Sequence, residues 1–156
     1  MSAPEVWRLS RSLEGEPWAR PLPAGVTTTR WRPEFARNAH ALMTAAYQRG
    51  GGSVEPFEEW LEWFTTDEEF DAESCFFAWH GAELAGVALC WSSAFVKDLC
   101  VAERFRRQGL GSALLGLCMR HFRARGHGAL ELRSRADNPS GANRLYHRLG
   151  FVRVPD

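Results

Sequence analysis

The spacing of apolar positions divides the chain into extended and helical segments. Val26–Trp31 alternates β-branched and polar residues, the period of a strand. Pro33 opens a helix over Glu34–Gln48, with Phe35, Ala39, Leu42, Met43 and Ala46 on one side, and Gly50, Gly51 and Gly52 stop it. A second short helix over Glu55–Phe64 carries Phe57, Trp60, Leu61 and Phe64 at helical spacing and leaves Trp63 off that face, available to a pocket. Ser74–Trp79 and Glu83–Trp91 are apolar runs joined at His80-Gly81, a hairpin turn. Phe95–Val101 is a third run, Ser112–Arg125 a helix ended by Gly126, and Leu130–Arg133 a short strand. Gly141–Leu149 is a helix ended by Gly150, and Phe151–Val154 begins a last strand. Residues 1–24 lack a clear period and read as an extended arm that adds an edge strand; 25–156 read as a single domain. Two hairpin-linked strands followed by strand–helix–strand predict an α/β chain with a mixed sheet and helices on its faces.

Composition narrows the function. With 156 residues, 45% hydrophobic and 24% charged, the chain has the make-up of one globular domain and is not largely disordered. No stretch approaches the ~18 apolar residues of a membrane span. The opening MSAPEVWRLS has no apolar signal core, so a cytoplasmic location is expected. Nineteen bases balance nineteen acids, which argues against general nucleic-acid binding, but the charges are segregated. Residues 54–73 hold nine acids and no base, whereas residues 104–153 hold eleven arginines and two acids, Glu131 and Asp137. The first stretch suits the steering of a cationic partner and the second a local anion site. Cys75, Cys90, Cys100 and Cys118 form no C-x-x-C pair and sit among apolar residues, as buried free thiols do. The five histidines show no zinc-ligand spacing, so no metal is expected.

The most informative segment runs from Phe95 to Leu115. A strand enters a turn, Arg104-Phe105-Arg106-Arg107-Gln108-Gly109-Leu110-Gly111, which opens directly into an apolar helix at Ser112. Glycine lets backbone approach a ligand, and the N–H groups at a helix start favour an anion. No acid lies between Arg104 and Leu130 to satisfy them internally. The turn is not a Walker A loop, for it lacks Gly-Lys, nor a dinucleotide fingerprint, for Leu114 stands where the third glycine belongs.

Arg106-Arg107-Gln108-Gly109-Leu110-Gly111 resembles the R/Q-x-x-G-x-G/A signature of the GNAT superfamily of acyl-CoA-dependent N-acetyltransferases, and Asp98-Leu99-Cys100-Val101 looks like the strand that leads into it. Downstream, Asn138 to Phe151 is similar to the N-x-x-A-x-x-L-Y-x-x-x-G-F ending of that family. The resemblance implies a mixed, mostly antiparallel sheet flanked by about four helices, and transfer of acetyl from acetyl-CoA to a primary amine in a ternary complex. It implies that Arg106, Arg107, Gln108, Gly109, Leu110, Gly111 and Ser112 hold the pyrophosphate. Leu99 and Val101 would pair with the pantetheine arm, and a backbone N–H near Cys100 or Val101 would meet the thioester oxygen. Asn138 and Asn143 are implied on the cofactor side, and pairing into a homodimer is an option that many relatives take.

Tyr146 matches the general acid of the family, its register fixed by the Gly150-Phe151 ending; the alternative is a half-buried aromatic packing on the sheet. Asp98 is the one acid on the central strand. It is either the base that deprotonates the amine or a buried carboxylate holding nearby donors, and strict alternation sets it opposite both Lys97 and Leu99. Glu131 is a further candidate base, or a cross-strand partner of an arginine. The acceptor is a small-molecule or peptide amine, with no membrane and no nucleic acid involved. The alternative activity is a non-catalytic module of the same fold that binds acyl-CoA.

Overall fold

The computed structural model describes residues 3–17, 19–50 and 52–156; Gly51, expected to help stop the first helix, lies outside them. The strands are β1 (Val6–Ser12), β2 (Val26–Arg30), β3 (Phe70–His80), β4 (Glu83–Trp91), β5 (Phe95–Val101), β6 (Ala129–Arg135) and β7 (Val152–Val154). The helices are α1 (Ala36–Arg49), α2 (Phe57–Thr66), α3 (Leu110–Ala124) and α4 (Ala142–Arg148), with single 3-10 turns at Pro33–Phe35 and Glu103–Phe105. One sheet runs β2-β3-β4-β5-β6-β1-β7. Every pairing in it is antiparallel except β5 with β6.

The expected edge strand of the arm is corrected here. β1 lies inside the sheet, antiparallel to β6 from Val6↔Arg135 to Ser12↔Ala129 and to β7 from Arg8↔Val154 to Ser10↔Val152. This seven-residue strand buries Leu9 to 5% exposure and stands between β6 and β7. Arg8 grips Glu131 from the neighbouring strand, with N–O distances of 2.8–3.0 Å, which makes Glu131 the cross-strand partner rather than a base.

Alternation sorts the sheet's side chains into two cores. Phe76 and Ala78 face α3 and α4, where Leu114, Leu115, Met119 and Phe122 are buried. Cys75 and Phe77 face α1 and α2, packed on Ala39, Met43, Trp60 and Phe64. Trp60 and Phe64 stack at 5.5 Å and are fully buried, each worth roughly 1.5–3 kcal/mol of apolar transfer. Phe57 and Leu61 from the same expected face are half-buried.

Two irregularities in β5 create the site. The first is a bulge: Leu89 pairs with Asp98 and Cys90 with Val96, so Lys97 is an extra residue. A bulge suspends alternation. Lys97 and Asp98 therefore turn to the same face, the ammonium over Trp63 and the carboxylate to Tyr47 of α1, and Leu99 then returns to the α3 side. The expectation that Asp98 faces away from Lys97 is corrected by this extra residue. The second irregularity is a parting of strands. β5 pairs with β6 only at Phe95↔Glu131 and Val96↔Leu132, and beyond Val96 the two diverge.

Candidate functional site

The parting leaves one edge of β5 open. Ala102 N–H donates to Ala85 O at 2.8 Å, and bonded pairs alternate along an antiparallel ladder. Cys100 and Asp98 are thus spent on β4, and Leu99 and Val101 direct their main-chain N–H and C=O groups into the gap. Their side chains line a groove of about 840 Å³ that continues to the turn before α3 and to α4.

The turn forms the second wall. Arg107 and Gly109 have φ of 64° and 82°, and this pair of left-handed residues reverses the chain from Phe105 into α3. No side chain caps α3, and its first turn carries no acid. Arg106, Arg107, Gly109, Leu110, Gly111 and Ser112 all line the groove, with the positive helix end behind them. Electrostatics reinforce the geometry. Four arginines line the groove, Arg20, Arg106, Arg107 and Arg148. Among the described residues none of the four has an acidic partner, whereas nine other arginines pair with acids. Glu103, the one acid on the groove, reaches to Arg49 at 3.8 Å.

Tyr146, on α4, closes the third side. It is 8% exposed, its ring set edge-on to Phe151 at 5.8 Å, and no hydrogen bond to its hydroxyl is found among the described residues. Burial, then the nearby Cys100, pushes its pKa up to about 12, so it keeps its proton at neutral pH.

Other residues expected in the site lie elsewhere or are already engaged. The Cys100 side chain is buried on the α1–α2 face, its thiol pushed up to about 12 by burial and Asp98. Gln108 is exposed, off the groove, with its amide toward Arg104 O at 3.5 Å. Asn143 accepts from Ser134 Oγ at 2.6 Å and donates to Arg135 O and Ala136 O, tying α4 to the end of β6. Asn138 folds its own turn by accepting from the Ser140 N–H and hydroxyl. Both asparagines border a smaller depression beside Arg107 and Arg144.

Asp98 is 5% exposed, and its carboxylate accepts from the Tyr47 hydroxyl and from Lys97 Nζ at 2.8 Å. Burial, then Asp98, drives the Tyr47 pKa upward. This carboxylate, held by two donors on the face opposite the Leu99 and Val101 side chains, ties α1 to the sheet and lies off the groove. Trp63, expected in a pocket, instead lies beneath the Lys97 ammonium at 4.6 Å. Tyr47 and Arg20 were not foreseen. Tyr47 sits one turn after Met43 on the buried face of α1, a weak signal; Arg20 lies in a segment with no period at all.

A sheet parted at its middle strand, with an uncapped helix start and a buried tyrosine lining the gap, is the architecture of the GNAT fold. The sequence pattern of the Acetyltransferase (GNAT) family matches residues 32–151, and the chain belongs to that family. It is 30% identical to a mycothiol acetyltransferase from Catenulispora acidiphila, over 96% of this chain and 51% of that protein. It thus spans about half the length of the curated relative it matches. A GCN5-related N-acetyltransferase from Sphaerobacter thermophilus shares the fold with a TM-score of 0.80 at 24% identity, over 96% of this chain and 48% of that one. The ribosomal-protein-S18-alanine N-acetyltransferase from Escherichia coli does so with a TM-score of 0.64 at 23% identity, over 80% and 76%. Among the described residues no helix is long and apolar enough to cross a membrane, and no three His, Cys, Asp or Glu side chains gather as metal ligands.

Proposed function

We propose that this chain transfers an acetyl group from acetyl-CoA to a primary amine by direct attack within a ternary complex. The observation that supports it best is the gathering of four arginines without acidic partners and an uncapped helix start along a single groove. Acetyl-CoA fits that groove in kind: a pyrophosphate for the cationic end, an amide-bearing arm for the open edge of β5, and a thioester near Tyr146. It supplies the activated acyl group.

The protein's part is positioning and proton management. The N–H groups of the α3 start and the arginines fix the anionic end. The main-chain groups of Leu99 and Val101 hold the arm as an added strand would be held, and one of their N–H groups donates to the thioester oxygen as charge develops there. The amine nitrogen bonds to the acyl carbon, the carbon–sulfur bond breaks, and the leaving sulfur takes the Tyr146 proton. The hydroxyl is protonated at neutral pH, the missing protein partner leaves it free to point into the groove, and solvent returns a proton to Tyr146 after sulfur has taken one. Asp98 is assigned the anchoring role, so the proton leaving nitrogen goes to solvent. The relatives' names differ in acceptor, and the reading is confined to a primary amine.

Release of CoA thiol from acetyl-CoA, measured over a panel of amines beside calorimetric titration of CoA, tests this. Amine-dependent release is expected. Binding without turnover on any amine supports the non-catalytic module instead, and absence of binding overturns both.

A further inference from the structure

The family pattern begins at residue 32, yet the groove includes Arg20, which precedes it. The segment between β1 and β2 must cross the sheet from its sixth position to its first, and it does so over α3, antiparallel to that helix. Glu16 pairs with Arg123 near the helix end at 2.7 Å. Ala19 packs on Gly116, so closely that a Cβ there would lie 2.6 Å from the Ala19 Cβ. Arg20 N–H donates to Ser112 Oγ at 3.0 Å, and its side chain lies flat on Gly109, where an added Cβ would meet Arg20 Cδ at 2.5 Å. Each contact fixes the strap one or two turns nearer the start of α3.

From this course, and resting on the acetyl-CoA reading above, we infer that the strap delivers Arg20 as a cofactor-binding residue: its guanidinium pairs with the pyrophosphate held at the α3 start. Three observations converge on it. The backbone of Arg20 is tied to the helix's first turn through Ser112, so its side chain starts within reach of the N–H groups that receive the anion. Arg20 lines the groove, and its guanidinium has no acidic partner among the described residues. The stem covers Gly109, the residue whose left-handed backbone aims those N–H groups. The same contacts explain why positions 109 and 116 carry no side chain.

The test compares Arg20→Ala and Arg20→Lys with the wild type by calorimetric titration of CoA, dephospho-CoA and S-acetylpantetheine, the last lacking every phosphate. A charge-assisted contact predicts a Kd for CoA raised about 10-fold or more by Arg20→Ala and partly restored by lysine. The same ratio is expected for dephospho-CoA, which keeps the pyrophosphate, and no change for S-acetylpantetheine. The fold loss should also shrink as salt rises from 0.05 to about 1 M, as screening predicts. An unchanged Kd for CoA overturns the inference and leaves the acetyltransferase reading standing. Equal losses for CoA and S-acetylpantetheine reduce Arg20 to a packing role, and a loss confined to CoA moves it to the 3′-phosphate; either result overturns the assignment. Failure of the wild type to bind CoA overturns this and the reading beneath it together.

Discussion

Asn in place of Asp98 keeps the shape of the side chain and removes its charge, which separates an anchor from a base. The carboxylate is 5% exposed, and Lys97 Nζ, on a side chain 19% exposed, is 2.8 Å away. At an effective dielectric of about 20, opposite charges at that distance attract by about 6 kcal/mol before desolvation is counted. Removing one partner of a buried pair commonly costs about 3–5 kcal/mol, because the other charge is stranded. Lys97 would keep the face of Trp63 at 4.6 Å, worth about 0.5–1 kcal/mol, so a loss of about 2–4 kcal/mol is expected. For a chain of this size that lowers Tm by about 4–16 °C. Lys97→Met added to Asp98→Asn should recover most of it, since neither charge is then stranded. Thermal unfolding by circular dichroism reads the stability, and kcat taken well below the lowered Tm reads the chemistry; an anchor predicts kcat within about threefold of wild type. An Asp98→Asn protein of unchanged Tm whose kcat falls a hundredfold would refute the argument and make Asp98 the base.

Tyr146→Phe should lower kcat by roughly 10²–10⁴-fold while leaving the Kd for CoA and the Tm unchanged, because the hydroxyl has no protein partner to strand and the ring still packs on Phe151; steady-state kinetics with titration calorimetry checks it. Stability should fall at alkaline pH. The Tyr146 pKa is raised in the fold from 10.0 to about 12, so its contribution is whole below pH 10 and is lost as pH rises toward 12, by about 1.4 kcal/mol per pH unit. The buried Cys75 and Cys100 thiols, raised from 9.0 to about 12, steepen the same decline from pH 9 upward. Urea midpoints between pH 8 and pH 11.5 should show this slope, and Tyr146→Phe should make it shallower.

Much of this was readable from residues. The segments from Val26 to Val154 announced themselves through local periodicity, and the turn from Arg106 to Gly111 through the absence of acids and the placement of two glycines. What escaped the sequence was what depends on distant partners. β1 sits between β6 and β7, a pairing made with residues more than a hundred positions away and without trace in VWRLSRS. The bulge at Lys97 defeated strict alternation, since one extra residue looks like any other in a strand of mixed burial. Tyr47 was a helix aromatic until the fold set its hydroxyl against Asp98, and Arg20 an arginine in an aperiodic arm until the crossing over α3 brought it to the groove. Asn143 shows the reverse: its place in the motif pointed to the cofactor, and the structure spends its amide on Ser134, Arg135 and Ala136.

The parting of β5 from β6 has a consequence for the chain as a solute. An unbonded strand edge is a template for foreign strands, and proteins commonly guard theirs at the rim of the sheet with charge, proline or brevity. Here the exposed template, Leu99 to Val101, is in the middle of the sheet, shut at one end where Phe95 meets Glu131 and flanked by α3 and α4. A foreign strand would have to enter a recess that Arg20, Arg106, Arg107 and Arg148 line. A slim, anionic, amide-bearing molecule matches that lining. The incomplete sheet thus keeps its open edge inside a recess between helices rather than at its rim.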